Sequence, residues 1–374
     1  MKNSVFLSCL FVILFNFSCA QDSENQVSTP KNIPFLAELL IDEMQIPWGM
    51  AFLPDGGILV TEKSGELIHF ANGKRTTISN VPEVYVRGQG GLLDIVIHPD
   101  YATNGWIYIS YSSSEGSGKG GHTALMRAKL EGNTLKNKEL LYKAGPNTTK
   151  GQHFGSRIAF DNGGYLFLSI GERGARDENP QDINRDGGKV YRFNDDGSIP
   201  KDNPFVTVDK AKKAIYSYGH RNPQGLAKHP DTGEIWDHEH GPRGGDEINI
   251  VKPGANYGWP VVTYGINYSG TKITDKTEME GMEPPIHYWV PSIAPSGMTF
   301  VTTEKYGADW KGSLLVGSLA FQYLERLEIE GTKVIKREKL MGGIGRVRDV
   351  KEGPDGYIYV AVEGKGVYKL IPKK

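Results

Sequence analysis

The stretch Gly219–Trp259 holds the densest group of side chains in this 374-residue sequence that could do chemistry. It contains an arginine–asparagine pair, several histidines, a Gly-Pro step and an acidic pair: Arg221 and Asn222, Gly241 and Pro242, Asp246 and Glu247. The strand-like pieces between these groups are short and bounded by glycine and proline, so the polar residues fall on turns. This pattern predicts a binding or catalytic site. A charged surface loop is the alternative if the stretch is considered alone.

One phrase recurs along the sequence: a short apolar strand, a turn of proline, aspartate and glycine, and a second strand rich in β-branched and aromatic residues. Its six copies begin at Trp48, Leu92, Ser156, Gln224, Ser296 and Val347. A spacing of roughly 45 to 75 residues is typical of one four-stranded propeller blade with its loops. We therefore predict an all-β fold, a six-bladed β-propeller. A β-sandwich with six similar hairpins is the alternative.

Charge and cysteine usage exclude several classes of function. The formal net charge is −1, which gives no electrostatic attraction for nucleic acid. The two cysteines, Cys9 and Cys19, both lie near the N-terminus. We therefore expect the folded body to contain no disulfide, no thiolate metal site and no cysteine nucleophile. Its chemistry must come from histidine, carboxylates, arginine, backbone carbonyls or a cofactor.

The first 20 residues have the features of a signal peptide. Lys2 precedes an apolar run over residues 5–17 that is too short to span a bilayer. Cleavage after Ala20 would give a periplasmic or secreted protein, whereas cleavage before Cys19 would give a lipid-anchored, membrane-attached lipoprotein. The sequence leaves both cleavage sites open.

The rest of the chain divides into two parts. Residues 21–34 are polar and lack a strand pattern, so we interpret them as a lead-in to the folded body. Residues 35–374 are predicted to form a single β-propeller catalytic domain. We expect no membrane span in it and either a monomer or a homodimer.

Most of the unusual polar residues stand just before the first strand of a repeat: Gln89, His153, Arg221, Asn222, Arg346 and Arg348. Equivalent positions of propeller blades lie at the same end of the central channel, so these side chains are predicted to face one cavity. Arginines pair with carboxylates and stack on flat rings, which suits a planar polyanionic ligand. His153 with a carboxylate such as Glu172 has the composition of an oriented general base. An ion pair between Arg348 and Asp349 is the structural alternative.

Six ordered phrases carry a family resemblance: GQGGLLDIVIHPDY, GQHFGSRIAF, SIGERG, YSYGHRNPQGL, EHGPRGGDEINIVKPGANYGWP and GRVRDVKEGPDGYIYV. From about Ile46 to its end, the chain resembles the soluble PQQ-dependent glucose/sorbosone dehydrogenases, the aldose sugar dehydrogenases. The resemblance implies a six-bladed propeller that holds pyrroloquinoline quinone (PQQ) and calcium at the channel mouth. It also implies an aldose substrate and an external electron acceptor.

Carried onto this sequence, the resemblance implies roles for individual residues. His153 would take the proton of the sugar C1 hydroxyl while hydride passes to the quinone, with Glu172 as its carboxylate partner. Arg221 would stabilise the negative charge that develops on the quinone oxygen. The residues implied to hold the cofactor are Gln89, His153, Arg221, Asn222, His240, Arg346 and Arg348.

The resemblance also implies two calcium sites. The backbone carbonyls of Gly241 and Pro242 would bind the ion beside the cofactor, since calcium prefers oxygen ligands. Glu247 and Tyr257 match positions that contribute to a second, structural ion.

The sequence departs from the family pattern at two positions. Glu172 replaces the aspartate of the best-known glucose dehydrogenases, and Ala320 stands where the family often has a lysine.

Two other classes of function remain open on the residues alone. A non-catalytic propeller would use the channel mouth to bind glycan or protein. A calcium-dependent hydrolase would need several carboxylates around one metal, and the predicted cavity is richer in arginine than in acids.

Overall fold

The computed structural model describes residues 27–30 and 32–373, and its 24 strands form six four-stranded antiparallel sheets. The first strand, β1 (Phe35–Ile41), belongs to the last blade. Blade 1 contains β2 (Pro47–Phe52), β3 (Ile58–Glu62), β4 (Leu67–Ala71) and β5 (Lys74–Ile78). Blade 2 contains β6 (Leu92–Ile97), β7 (Trp106–Ser113), β8 (His122–Glu131) and β9 (Thr134–Lys143). Blade 3 contains β10 (Ile158–Phe160), β11 (Leu166–Ile170), β12 (Lys189–Phe193) and β13 (Ile215–Tyr218).

Blades 4 to 6 follow the same order. Blade 4 contains β14 (Pro223–Lys228), β15 (Ile235–Glu239), β16 (Asp246–Ile250) and β17 (His287–Trp289). Blade 5 contains β18 (Pro295–Phe300), β19 (Leu314–Ser318), β20 (Tyr323–Glu330) and β21 (Lys333–Leu340). Blade 6 contains β22 (Val347–Glu352), β23 (Ile358–Val362), β24 (Gly366–Pro372) and, at its outer edge, β1. The described helices are α1 (Tyr101–Asn104) and a 3-10 turn, Ala308–Trp310.

The first strands of the six blades form a closed ring. Going round the ring, β2 contacts β6, β6 contacts β10, β10 contacts β14, β14 contacts β18, β18 contacts β22, and β22 contacts β2. The predicted six-bladed β-propeller is therefore confirmed. No helix within residues 27–30 and 32–373 has the length and apolar character needed to cross a membrane.

The apolar core is divided among the six interfaces between neighbouring blades. Between blades 1 and 2, for example, Leu59 and Leu67 pack with Ile95 and Ile107, all four fully buried. Each hairpin buries its apolar face against the next sheet, which is why a single repeat would not be stable alone. Each repeated hairpin in the sequence thus contributes to one apolar cluster between two neighbouring blades.

Strand β1 closes the ring by joining the two ends of the chain. It pairs antiparallel with β24, with Phe35 opposite Pro372 and Ala37 opposite Leu370. The Phe35 ring also packs edge-on against Trp310 of blade 5, with 5.9 Å between ring centroids. The outer strand of the last blade therefore comes from the other end of the sequence.

Buried charged residues and glycines meet around the channel at the level of the first strands. Arg157 of blade 3 contacts Asp94 of blade 2 at 3.0 Å and Asp349 of blade 6 at 3.2 Å, and all three are buried. Gly49 and Gly297 leave the space for these carboxylates, because a Cβ at either position would lie 2.6 Å or less from an aspartate oxygen. A buried ion-pair network thus ties three blades together below the channel mouth.

Part of the predicted lead-in contacts blade 5. The Ser28 N–H donates to the Arg337 carbonyl at 3.0 Å, and the Lys339 N–H donates to the Ser28 carbonyl at 2.7 Å. The described part of the lead-in is therefore bonded to the edge of β21. The signal peptide and both cleavage sites lie outside the described residues.

Candidate active site

Loops of blades 3 and 4, with the segment that precedes blade 3, build one cavity of about 340 Å³ at the channel mouth. His153 lies in the segment before β10, Glu172 follows β11, and Arg221 precedes β14. All three side chains line the cavity, together with Pro242 and Trp259. The structure therefore brings His153 and Arg221, 68 positions apart, into one cavity, as their places before the first strands of two blades predicted. The same prediction is wrong for Gln89, Asn222, Arg346 and Arg348, which do not line this cavity.

His153 is held from both sides. Its Nδ1 is hydrogen-bonded to Glu172 Oε1, and its backbone N–H donates to Gln89 Oε1 at 2.8 Å. The backbone of His153 has a φ of 57°, a left-handed conformation that is uncommon for a residue with a side chain. Because a carboxylate only accepts hydrogen bonds, Nδ1 carries the proton and the lone pair of Nε2 is left to accept one.

The pKa of His153 is lowered, chiefly by burial and next by the positive charge of Arg221. The hydrogen bond and charge of Glu172 act in the opposite direction. A histidine with a lowered pKa is neutral near pH 7, so His153 is in the form that can remove a proton.

Arg221 is fixed in a buried position beside this pair. Its backbone N–H donates to Glu239 Oε2, and its Nη1 donates to the carbonyls of His240 and Gly241, each at 2.9 Å. Its guanidinium lies 5.3 Å from the ring centre of Trp259. Its Nε is buried and makes no hydrogen bond within the described part of the chain. One strong donor of Arg221 is thus left available.

Gln89, Asn222 and His240 surround the cavity without lining it. The Gly155 N–H donates to Asn222 Oδ1 at 3.1 Å, and the His240 N–H donates to the Asn222 carbonyl at 3.2 Å. The buried Nδ2 of Asn222 has no partner among the described residues. The Glu172 N–H donates to the Arg221 carbonyl at 2.8 Å, so hydrogen bonds through Glu172 connect six of the predicted site residues. They are Gln89, His153, Glu172, Arg221, Asn222 and His240.

Arg346 and Arg348 form a separate ion-pair group. Glu363 accepts from Arg346 Nε at 2.6 Å and from Arg348 Nε at 2.9 Å, and Arg348 Nη1 donates to Gln224 at 3.2 Å. The alternative ion pair of Arg348 with Asp349 is not formed. Neighbouring residues of a strand point to opposite faces, so Asp349 turns to Arg157 instead. Neither arginine lines the cavity of His153.

The four residues proposed as calcium ligands fall into two pairs. One pair lies beside Arg221 and the other lines a different cavity. The Gly241 carbonyl accepts from Arg221, and Pro242 lines the cavity of His153. Glu247 and Tyr257 line an adjoining cavity of about 410 Å³. Burial and the nearby Glu239 raise the pKa of Glu247 well above its usual range. A buried carboxylate in this state favours a cationic partner.

A carboxylate at the end of the second strand holds the segment before the first strand in four of the blades. In blade 1, Glu62 accepts from the backbone of Gln45 and Ile46. The same arrangement joins Glu172 to His153, Glu239 to His220 and Arg221, and Glu363 to Arg346 and Arg348. Sequence reasoning identified only Glu172. Glu172 ends the phrase IGE, and the similar phrases VTE, DHE and AVE were the signal for Glu62, Glu239 and Glu363.

Other residues of the site also went unrecognised. Trp259 lines the cavity, and so does Tyr268, whose side chain is exposed at the cavity mouth. A buried group next to Arg221 consists of His220, Asp237 and Glu239. Their side chains lie close enough together to bind one metal ion. Ala320, the departure from the family pattern, is exposed and offers only its backbone, whose N–H donates to Ile293.

Comparison with known proteins gives consistent matches over most of the chain. The family model described as Glucose / Sorbosone dehydrogenase matches residues 44–370. The aldose sugar dehydrogenase YliI of Escherichia coli (strain K12) is 44% identical over 334 residues, which cover 87% of this chain and 89% of that protein.

Solved structures agree with this match. The soluble aldose sugar dehydrogenase (Asd) from Escherichia coli in the apo-form superposes with a TM-score of 0.85 at 40% identity, covering 91% of this chain and 100% of that one. The PQQ-bound form of the aldose sugar dehydrogenase (Adh) from Streptomyces coelicolor has a TM-score of 0.74 at 27% identity, covering 92% and 100%.

Proposed function

Because the chain belongs to the glucose/sorbosone dehydrogenase family, whose members are sugar-oxidising enzymes, we propose that it is a PQQ- and calcium-dependent quinoprotein. It would oxidise the C1 hydroxyl of aldoses to lactones and pass the electrons to an external acceptor. The observation that carries this proposal is the pairing of His153 with Glu172 in a cavity that also contains Arg221.

The residues around the cavity fit the proposed cofactor. Arg221 Nε and Asn222 Nδ2 are buried donors without partners in the described chain, and such groups are costly unless a ligand satisfies them. PQQ is a flat quinone with three carboxylates, which suits these donors. Of the seven residues implied to hold it, His153 and Arg221 line the cavity, Gln89, Asn222 and His240 surround it, and Arg346 and Arg348 lie outside it, paired with Glu363.

The oxygen atoms beside Arg221 fit calcium. The carbonyls of Gly241 and Pro242 would hold the ion next to the cofactor, and Glu247 and Tyr257 would contribute to a second ion. When bound, PQQ would supply the acceptor for the hydride of C1, and calcium would supply Lewis-acid polarisation of that acceptor.

The remaining steps depend on this chain's own side chains. His153 Nε2 would accept the proton of the C1 hydroxyl as that carbon gives up its hydride, so the alcohol becomes a carbonyl. Glu172 holds the Nδ1 proton and stabilises the imidazolium that forms. Arg221 provides a buried positive charge fixed by Glu239, so the cavity needs little rearrangement as negative charge develops.

The test is reconstitution of the purified protein with PQQ and calcium, followed by dye reduction with a panel of aldoses. We expect His153→Ala to lose about 10²- to 10⁴-fold of the wild-type rate, the usual contribution of a general base. His229→Ala, in the turn between β14 and β15, is the matched control and should keep its activity. A folded protein that takes up no PQQ would instead indicate a non-catalytic binding module.

We also propose that the mature protein acts in the periplasm or outside the cell, either free or attached through Cys19. Mass spectrometry of the mature N-terminus distinguishes the two: an acylated Cys19 indicates attachment, and an N-terminal Gln21 indicates a free protein. Retention of the full leader would contradict both.

A further inference from the structure

A second and larger cavity adjoins that of His153 and has no part in the mechanism proposed above. Its volume is about 540 Å³, and it lies between the segment after β9 and the β11–β12 connection. Three residues line both cavities: Lys150, Ala175 and Glu178. Arg173, which lines the larger cavity, directly follows Glu172. The two cavities therefore share part of their walls.

The lining of the larger cavity is strongly basic. Its charged residues are five basic and two acidic side chains: Lys143, Lys150, Arg173, Arg185 and Lys212, with Glu178 and Asp186. Both acids are already used, because Arg185 pairs with Glu178 at 2.8 Å and Lys212 pairs with Asp186 at 3.0 Å. Five positive charges against two negative ones leave a net charge of +3 around the cavity.

The remaining three cations have only neutral oxygen atoms as hydrogen-bond acceptors. Lys143 Nζ donates to the Ala144 carbonyl at 2.8 Å and to Asn147 Oδ1 at 2.7 Å, and Lys150 Nζ donates to the Gly174 carbonyl. These bonds orient the ammonium groups without neutralising them. An anion entering the cavity would meet charges that are already positioned.

Arg173 contributes a charge from within the protein. Its side chain is 1% exposed, and its two terminal nitrogens donate to backbone carbonyls. Burial lowers its pKa to about 10, so it remains a cation at neutral pH. Its Nε is buried and unpartnered within the described residues. The nearby Glu172 is already hydrogen-bonded to His153.

His122 provides a second, independent sign of a ligand. It is 2% exposed, lines the cavity, and accepts the Thr123 N–H at Nδ1 over 2.9 Å. Burial lowers its pKa to about 3, so the ring is neutral and its one proton is on Nε2. That N–H has no hydrogen-bond partner anywhere in the described chain. A ring N–H donor on the wall of a basic cavity matches an acceptor-rich anionic group.

The lining also argues against a site for a neutral sugar ring. Its residues as described include no tryptophan, tyrosine or phenylalanine, the side chains on which sugar rings stack. The cavity of His153 differs, because Trp259 and Tyr268 line it. The two cavities therefore favour different parts of one ligand.

We propose that the larger cavity is an anion subsite for acidic saccharides. It would hold the carboxylate or sulfate group of a saccharide whose reducing-end aldose occupies the cavity of His153, an inference that rests on the proposed function. The substrate class is then an acidic disaccharide or oligosaccharide with a free reducing end.

The test compares an aldobiouronic acid, a uronic acid linked to a neutral reducing-end aldose, with the same disaccharide after reduction of its carboxyl group. At low salt we expect the holoenzyme to have a kcat/KM about tenfold higher for the acidic sugar, and added salt should reduce this ratio. Lys143→Gln should bring the ratio close to one, and Lys143→Arg should retain it. Lys138→Gln, an exposed lysine outside the cavity, is the control and should leave it unchanged. Equal kcat/KM values for both sugars in the wild type would overturn the subsite.

Calorimetry on the protein without cofactor separates failure of the subsite from failure of the proposed function. If the enzyme oxidises neither sugar, the subsite still predicts binding of the acidic one, weakened in Lys143→Gln and competed by inorganic sulfate. Such binding would support the subsite while contradicting the proposed dehydrogenase chemistry. Equal affinity for the two sugars, or no binding of either, would overturn the subsite.

Discussion

At His153, two opposing effects determine whether the ring can act as a base. Burial and the positive charges of Arg221 and Arg173 lower its pKa, whereas Glu172 raises it. The net result is a lowered pKa, so the neutral ring persists at a pH where an exposed histidine would be protonated. Glu172 therefore serves mainly to orient the ring and to stabilise its charged form during the reaction.

The pH profile of the holoenzyme should reflect this balance. A base works only when unprotonated, and an ordinary histidine is half protonated near pH 6.5. Because the pKa of His153 is lowered, we expect kcat/KM to stay level as the pH falls through 6.5 and to decline only below it. Steady-state kinetics in overlapping buffers check this. A decline centred above pH 7 would contradict the assignment.

Replacing the orienting carboxylate is a second test at this scale. Glu172→Gln keeps the size of the side chain but removes its negative charge, so we expect kcat to fall about a hundredfold, within the range of general-base contributions. The acid limb of kcat/KM should also move to lower pH, because the group that raises the pKa of His153 is lost. Unchanged kcat and an unchanged limb would show that Glu172 has only a packing role.

At the scale of the strand and its loop, a repeated carboxylate explains how loops rich in glycine become rigid enough to hold a site. Glu62, Glu172, Glu239 and Glu363 each lie at or just after the end of the second strand of a blade and bind the segment before the first strand. In blade 5, Ser318 Oγ donates to the Ile293 carbonyl instead. Four blades thus repeat the same contact between a glutamate and the segment before the first strand. The residue that the glutamate binds differs from blade to blade.

Blade 1 allows this contact to be measured away from the cavity. Glu62 is 4% exposed and accepts two backbone N–H groups, those of Gln45 and Ile46. Glu62→Ala leaves both without their acceptor, so we expect the free energy of unfolding to fall by about 1–3 kcal/mol. Urea denaturation measures this change. The exposed neighbour Glu66→Ala is the control, and equal effects of the two substitutions would contradict the role given to Glu62.

For the whole molecule, stability depends on closing the ring. Strand β1 supplies the fourth strand of blade 6, and Phe35, 4% exposed, packs against Tyr306 and Trp310 of blade 5. The buried Arg157 holds carboxylates of blades 2 and 6 across the channel. Opening the ring at either place would loosen contacts between blades that only the closed ring holds together.

Ring closure predicts a sharp contrast within one strand. Phe35→Ala removes a buried aromatic side chain and should lower the free energy of unfolding by about 3–5 kcal/mol. Leu36→Ala, on the opposite face and 62% exposed, should change it by less than about 0.5 kcal/mol. Denaturant titration of both variants provides the measurement. Similar losses in the two would mean that β1 does not close the ring through Phe35.

The sequence allowed the blades to be counted because each hairpin repeats a local pattern of apolar residues and turn residues. The origin of the outer strand of blade 6 could not be predicted, since Phe35 pairs with Pro372 and no local pattern reports such a distant partner. The grouping of His153 with Arg221 followed from their positions in the repeats, and Glu172 was proposed as the carboxylate partner that a histidine base needs. The sequence did not predict that Arg348 pairs with Glu363. Asp349 is its neighbour in the sequence, but adjacent residues of a strand point to opposite faces, and Asp349 pairs with Arg157.

Single-turnover reduction of the PQQ-loaded protein by an aldose, followed by the absorbance of the quinone, examines the proposed chemistry without an external acceptor. We predict that the wild-type protein is reduced more slowly by a C1-deuterated aldose than by the unlabelled sugar. His153→Ala, loaded with PQQ to the same extent, should be reduced about a hundredfold more slowly than the wild type. Reduction of that variant at the wild-type rate would contradict the assignment of His153 as the base.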